Sequence, residues 1–141
     1  MAADALQVII VDDFEPWRRF ARSVLERHFP LLCICEVSDG AEAVRKAHDL
    51  QPALILLDIG LSELNGIDAA KLIRHKCPRT QILFVSQDTS RDVVEAALDA
   101  GGNGYVAKWE GVSELVRGVE WVLRGEVFVS RTLAKARPLA G

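Results

Sequence analysis

Five polar side chains could share one chemistry: Asp12, Asp13, Asp58, Ser86 and Lys108. The Asp12-Asp13 pair, Asp58, Ser86 and Lys108 each close a short apolar run, Val8–Val11, Leu54–Leu57, Ile82–Val85 and Tyr105–Ala107 in turn. If those runs are neighbouring strands of an open parallel sheet, the residues past their ends meet in one crevice. Three carboxylates, a hydroxyl and an ammonium make a poor hydrophobic pocket and a good Mg2+ site beside a phosphoryl acceptor. Mg2+ takes hard oxygen ligands, typically one or two carboxylates completed by water and phosphate oxygens. The adjacent Asp12 and Asp13 repel one another, so full ionisation of the pair favours a bound cation. Asp58 is the candidate nucleophile, because a carboxylate that attacks phosphorus forms an acyl phosphate. Lys108 offers a positive charge, and Ser86 a hydrogen bond, to the transferred oxygens. Taken singly, these residues also suit duller roles: a solvated helix cap for Asp12 and Asp13, a cap for Ser86, a surface cation for Lys108. Their joint placement at four strand ends favours the chemical reading.

The elements that must position them follow from periodicity. Apolar runs of strand length alternate with stretches of helical spacing, the rhythm of βαβ units around a parallel sheet. Strands are predicted at about 7–11, 32–37, 53–57, 81–85 and 105–107, and helices at about 15–27, 41–50, from after Gly66 to about 75, 91–100 and 113–124. Pro16 suits the first turn of the first helix, whose apolar stripe is Trp17, Phe20, Ala21, Val24 and Leu25. Ser38, Asp39 and Gly40 make a turn and cap. Ala53–Leu57 is apolar throughout, as expected for a strand covered on both faces. Gly101, Gly102 and Gly104 punctuate the approach to the fifth strand. The expected fold is α/β, five parallel strands with five helices on both faces, in one domain over 5–125. Residues 126–141, with Arg131, Lys135 and Arg137, read as a tail or linker stub.

Composition narrows the class. A chain of 141 residues, half of them apolar, suits a single core. A net charge of −3 gives no basic face for nucleic acid, so no direct nucleic-acid binding is expected. No apolar run approaches the ~18 residues of a membrane span, and the start carries no secretory pattern. A soluble cytoplasmic protein is expected. Cys33 and Cys35 alternate on one strand face and read as small core or edge residues. No second cysteine or histidine pair completes a zinc set. His28, His48 and His75 read as helix surface residues, and Arg18, Arg19, Arg22 and Arg27 as a solvated or acid-docking helix face.

The motifs Val11-Asp12-Asp13, Leu56-Leu57-Asp58-Ile59-Gly60-Leu61, Asn65-Gly66, Val85-Ser86 and Gly104-Tyr105-Val106-Ala107-Lys108 come in an order and spacing that resemble the receiver domain of two-component response regulators, over about residues 5–125. The resemblance implies a flavodoxin-like sheet of order 2-1-3-4-5. It implies phosphorylation of Asp58 from a sensor histidine kinase phosphohistidine, so the chain would catalyse only its own phosphorylation and dephosphorylation. It implies Mg2+ bound by Asp13, Asp58 and the Gly60 backbone carbonyl, with Asp12 acting mostly through water. It also implies a switch in which Ser86 moves toward the phosphoryl group and Tyr105 follows inward, with homodimerisation on phosphorylation as a family expectation.

Details such as Asp58-Ile59-Gly60-Leu61, Val85-Ser86-Gln87 and Gly125-Glu126-Val127-Phe128-Val129-Ser130 are similar to the LuxR-type subgroup, whose members usually carry a C-terminal helix-turn-helix. The stretch after Arg124 is too short for that motif. Two expectations stay open, the receiver part of a transcriptional regulator or a stand-alone receiver. An unphosphorylated pseudo-receiver that serves as an interaction module is a third reading. A dehalogenase-type hydrolase needs a second aspartate where Gly60 stands, and the glycines near Gly104 precede a strand, the wrong context for a dinucleotide loop. Three departures from the receiver pattern matter: Ser62 and Trp109 stand where proline is common, and Gly60 offers no side chain two residues after the acceptor. Without proline, a cis bond before Trp109 would cost roughly 3 kcal/mol, so a trans or strained Lys108 loop is expected.

Overall fold

The computed structural model describes residues 5–130 and residue 133. The charged tail residues Arg131, Lys135 and Arg137 lie outside them. Strands β1 (Leu6–Val11), β2 (Leu32–Val37), β3 (Leu54–Leu57), β4 (Gln81–Ser86) and β5 (Gly104–Ala107) alternate with helices α1 (Glu15–His28), α2 (Gly40–Leu50), α3 (Gly66–Lys76), α4 (Arg91–Asp99) and α5 (Val112–Leu123). The sheet is parallel throughout, in the order β2-β1-β3-β4-β5, with a sixth strand β6 (Phe128–Val129) beyond β5.

Successive strand side chains point to opposite faces, and both faces are dry. Ile9, Val11, Ile55, Leu57, Ile82 and Phe84 pack with Ala43, Ala47, Ala69, Ile73 and Ala97 of α2, α3 and α4. Val8, Ile10, Leu54, Leu56, Leu83 and Val85 pack with Ala21, Val24 and Leu25 of α1 and Leu115, Val119 and Val122 of α5. The continuous apolar run of β3 thus reflects its central place between two helical layers.

Helix starts follow local chemistry. Asp39 and Asn65 cap α2 and α3, accepting the N–H of Glu42 at 2.8 Å and of Asp68 at 2.9 Å. Gly66 has a steric reason: a Cβ there would lie 2.1 Å from the Asp58 carbonyl oxygen. The start of α3 is therefore pressed against the backbone that carries Asp58.

Two expectations change. The five-strand order is present, but the segment read as tail adds β6 to the edge. Phe128 tilts against Trp121, with ring centroids 5.9 Å apart, and the Ser130 N–H donates to the Tyr105 carbonyl at 2.9 Å. Its turn-like approach through Gly125 and Glu126 hid a strand of two residues. Phe20, expected on the buried stripe of α1, is 40% exposed, because Ala21, Val24 and Leu25 fill the contact with the sheet. Cys33 is exposed and Cys35 half-buried on edge strand β2, while Cys77 is buried. His28, His48 and His75 are all exposed.

Candidate functional site

Parallel strands bring the carboxyl ends of β1, β3, β4 and β5 to one edge, where an open cleft of about 460 Å³ is lined by Asp12, Asp13, Asp58, Gly60, Ser86 and Lys108 among others. Every predicted site residue except Tyr105 lines this cleft, and Tyr105 lies behind Ser86 on the neighbouring strand. Asp12 is fully buried and Asp58 is 7% exposed, whereas Asp13 faces solvent. One carboxylate oxygen from each of the three lies within 4.8 Å of the others.

Lys108 neutralises part of this charge. Its Nζ is 2.5 Å from Asp12 Oδ2 and 3.6 Å from Asp58 Oδ2. The Asp12 Oδ2 contact is an ion pair without a well-directed hydrogen bond. Asp12 Oδ1 accepts the Phe14 N–H at 2.9 Å. One ammonium facing three carboxylates leaves the cluster net negative, and within it the Asp58 carboxyl is held above its ordinary pKa. Burial raises its pKa first and the Asp12 charge raises it further, against the opposing pull of Lys108 and of the Gly60 and Ile59 N–H groups. Hard oxygens, excess negative charge and an open mouth fit a divalent cation, and the cluster is positioned to hold one, consistent with Mg2+ use. Gly60 sits at the mouth, where an added Cβ would meet only Asp58 Oδ2, at 3.9 Å.

The Lys108 loop takes the trans form: no peptide bond among the described residues is cis, and Lys108–Glu110 forms a 3-10 turn. The Asp58 loop holds its shape without proline at Ser62, since the Leu61 and Gly66 N–H groups both donate to the Ile59 carbonyl, at 2.8 and 2.9 Å.

Ser86 is the last residue of β4 and is 3% exposed. Its Oγ accepts the Asp88 N–H at 3.1 Å. Tyr105 is fully buried, stacks on Phe84 with centroids 6.1 Å apart, and donates its hydroxyl to the Asp88 carbonyl. Its aromatic ring is therefore already inward in this structure. Burial is the main cause of its pKa being pushed up to about 12.

Periodicity did not reveal two supports. Arg18, read as part of a solvated or docking face, has a side chain only 14% exposed. It donates to the Asp12 carbonyl at 2.7 Å and to Glu36 of β2 at 3.2 Å, and Arg22 joins Glu36 at 3.0 Å. Trp17 lies under the Lys108 ammonium, 5.0 Å from ring centre to Nζ. The sequence signal was available in part, as Arg18 and Arg22 are four residues apart on the helix face that meets β2.

The response regulator receiver domain family matches residues 8–120. The response regulator protein VraR of Staphylococcus aureus is 32% identical over 133 residues, which cover 94% of this chain and 64% of that protein. The chain thus spans just under two thirds of the length of the curated relatives it matches. Among solved structures, a LuxR-family two-component response regulator from Aurantimonas is 28% identical with a TM-score of 0.87, the match covering 94% of each chain. A LuxR-family DNA-binding response regulator from Silicibacter pomeroyi is 27% identical with a TM-score of 0.79, covering 90% of this chain and 98% of that one. On this match, and on a cleft whose carboxylates and lysine are those phosphorylation-based signalling employs, the chain belongs to the receiver domains of two-component response regulators and is related to the LuxR family.

Proposed function

We propose that Asp58 accepts a phosphoryl group from the phosphohistidine of a sensor histidine kinase, in a reaction that uses Mg2+. The observation that carries this reading is the placement of Asp58: a nearly buried carboxylate on the cleft floor, 3.6 Å from an ammonium and grouped with two further carboxylates. Asp12, Asp13 and Asp58, with the Gly60 carbonyl, would hold the metal, which when bound offsets charge on the transferred oxygens. Lys108 swings its ammonium from Asp12 toward those oxygens. The Ser86 hydroxyl turns from the Asp88 N–H to donate to the phosphoryl group.

The switch then runs through the Asp88 segment, which Ser86 and Tyr105 both grip. Losing one of the two contacts shifts the population of that segment rather than the fold. Ser86→Ala leaves Asp58 phosphorylation largely intact and weakens the downstream response. Equal output from both proteins at matched phosphorylation would sink the switch.

The phosphoacceptor unit extends from residue 5 through β6 to residue 130, and the residues after it lead toward a further domain as a linker. Relatives of greater length and two LuxR-family structural matches support a transcriptional regulator whose DNA contacts lie outside this chain. Partners are the kinase and, on phosphorylation, a second copy. A cytoplasmic location fits this role, and no helix among the described residues is long and apolar enough to cross a membrane.

The test is intact mass after incubation with Mg2+ and acetyl phosphate, for the wild type and Asp58→Ala. One added phosphoryl group in the wild type alone supports the reading. No gain in the wild type, together with no beryllofluoride binding, favours the pseudo-receiver.

A further inference from the structure

Beside the phosphoacceptor cleft runs a second groove of about 480 Å³, lined by Phe14, Trp17, Gln87, Lys108 and Trp109. It shares Phe14, Gln87 and Lys108 with the cleft, so the two are continuous. Phe14 is 60% and Trp109 58% exposed. Single exposed apolar residues need no explanation, but several aromatic rings gathered around one groove at a reactive site do.

The geometry points to this groove as the subsite for the imidazole ring of the phosphodonor, the leaving group of the transfer, which rests on the reading of Asp58 as acceptor. Phosphoryl transfer runs with the attacking and leaving groups roughly in line. Asp58 forms the floor, so the leaving group stands toward the mouth, where Phe14 and Gln87 form the rim. The Asp58 oxygen forms a bond to phosphorus, the P–N bond breaks, and its electron pair stays on the ring nitrogen. The other ring nitrogen already carries a proton, so the ring departs as neutral imidazole.

Charge decides which donor the rim suits. Before transfer, the protonated phosphoimidazole ring is planar and positive, and the faces of tryptophan and phenylalanine attract cations. The acetate that leaves acetyl phosphate is negative, and an aromatic face gives it nothing comparable. Lys108 also borders the groove and already covers the Trp17 ring at 5.0 Å, so the faces open to the donor ring are those of the exposed Phe14 and Trp109; its charge is directed to Asp12 and Asp58, and Asp13 adds a negative charge at the mouth.

The experiment compares two small donors, monophosphoimidazole and acetyl phosphate, with saturating Mg2+ and intact mass as readout. The measured quantity is the ratio of their rate constants in wild type, Trp109→Ala and Trp109→Phe. Effects on Asp58, Lys108 or metal binding act on both donors and cancel in the ratio. Trp109→Ala is expected to lower the ratio about fivefold, and Trp109→Phe to retain most of it, as expected for a cation over an aromatic face. An equal ratio in wild type and Trp109→Ala, with both donors labelling Asp58, overturns the subsite and leaves the acceptor standing. No label from either donor in the wild type overturns both.

Discussion

Replacing Lys108 with methionine keeps the apolar stem and removes the charge, which makes it the sharpest probe of the cleft. Taking an effective dielectric of about 20, contacts at 2.5 and 3.6 Å correspond to gross attractions of about 7 and 5 kcal/mol. Most of that is offset by desolvation, since Asp12 and Lys108 are largely out of water. What the substitution leaves is a buried, unpaired Asp12 beside Asp58. Breaking a buried pair in this way costs about 3–5 kcal/mol. Asp58, whose carboxyl is already raised by burial, can relieve the pair by taking up a proton, so the lower figure is expected, about 3 kcal/mol at neutral pH in EDTA, or roughly 10 °C in Tm for a domain of this size. Mg2+ responds in the opposite direction. In the wild type the cation must share Asp12 with the ammonium, and even at the dielectric of water that repulsion is worth on the order of 1–2 kcal/mol. Lys108→Met therefore binds Mg2+ about tenfold more tightly, and saturating Mg2+ restores much of its stability. Urea unfolding followed by circular dichroism reads the first effect. A Mg2+ titration of tryptophan fluorescence reads the second, because Trp17 lies under the lysine. Lys108→Arg is the charge-retaining control. Stability in EDTA within about 1 kcal/mol of wild type, with unchanged Mg2+ affinity, would refute the argument.

Four further outcomes are expected. The folded protein holds the Asp58 proton more tightly than the unfolded chain does, so the stability that protonation contributes is full below about 3.8 and is lost as pH rises through the folded value. Asp58→Asn is then more stable than wild type by a few degrees in metal-free neutral buffer, and the gap closes in acid; a pH series of thermal melts checks this. Tyr105 is the single tyrosine, so phenolate absorbance titrates it alone. Its midpoint is expected near 12 in the native protein, with stability falling as pH rises from about 10 to about 12. Gly66→Ala sets a methyl 2.1 Å from the Asp58 carbonyl and is expected to destabilise by about 3 kcal/mol and slow phosphoryl uptake, read by urea unfolding and intact mass. Arg74→Ala removes donors to Thr80 O at 2.7 Å, Gly101 O at 2.7 Å and Asn103 Oδ1 at 2.8 Å; a loss of about 2–4 kcal/mol in urea unfolding is expected, with hydrogen exchange rising first around Gly101–Asn103.

The elements were legible because their signals are local. Val8–Val11 and Leu54–Leu57 declare strands by apolar runs, Asp39 declares a helix start by its cap, and the strand-end residues Asp12, Asp58, Ser86 and Lys108 stand out by chemical type. Even the buried face of α1 follows from spacing, although Phe20 shows that spacing does not say where a stripe ends. The tertiary structure decided everything that depends on which ends meet. The sheet order sets Lys108 against Asp12 more closely than against Asp58. It brings Glu36 from the edge strand to Arg18 and Arg22, which the sequence presents as solvated cations. It turns Tyr105 fully inward onto the Asp88 carbonyl, and it adds Phe128 and Val129 to the sheet because an open β5 edge lay within reach. The physical reason is common to all four. A residue's type and periodicity are properties of its own segment, whereas a partner across the sheet is set by loop closures and packing between segments far apart in the chain.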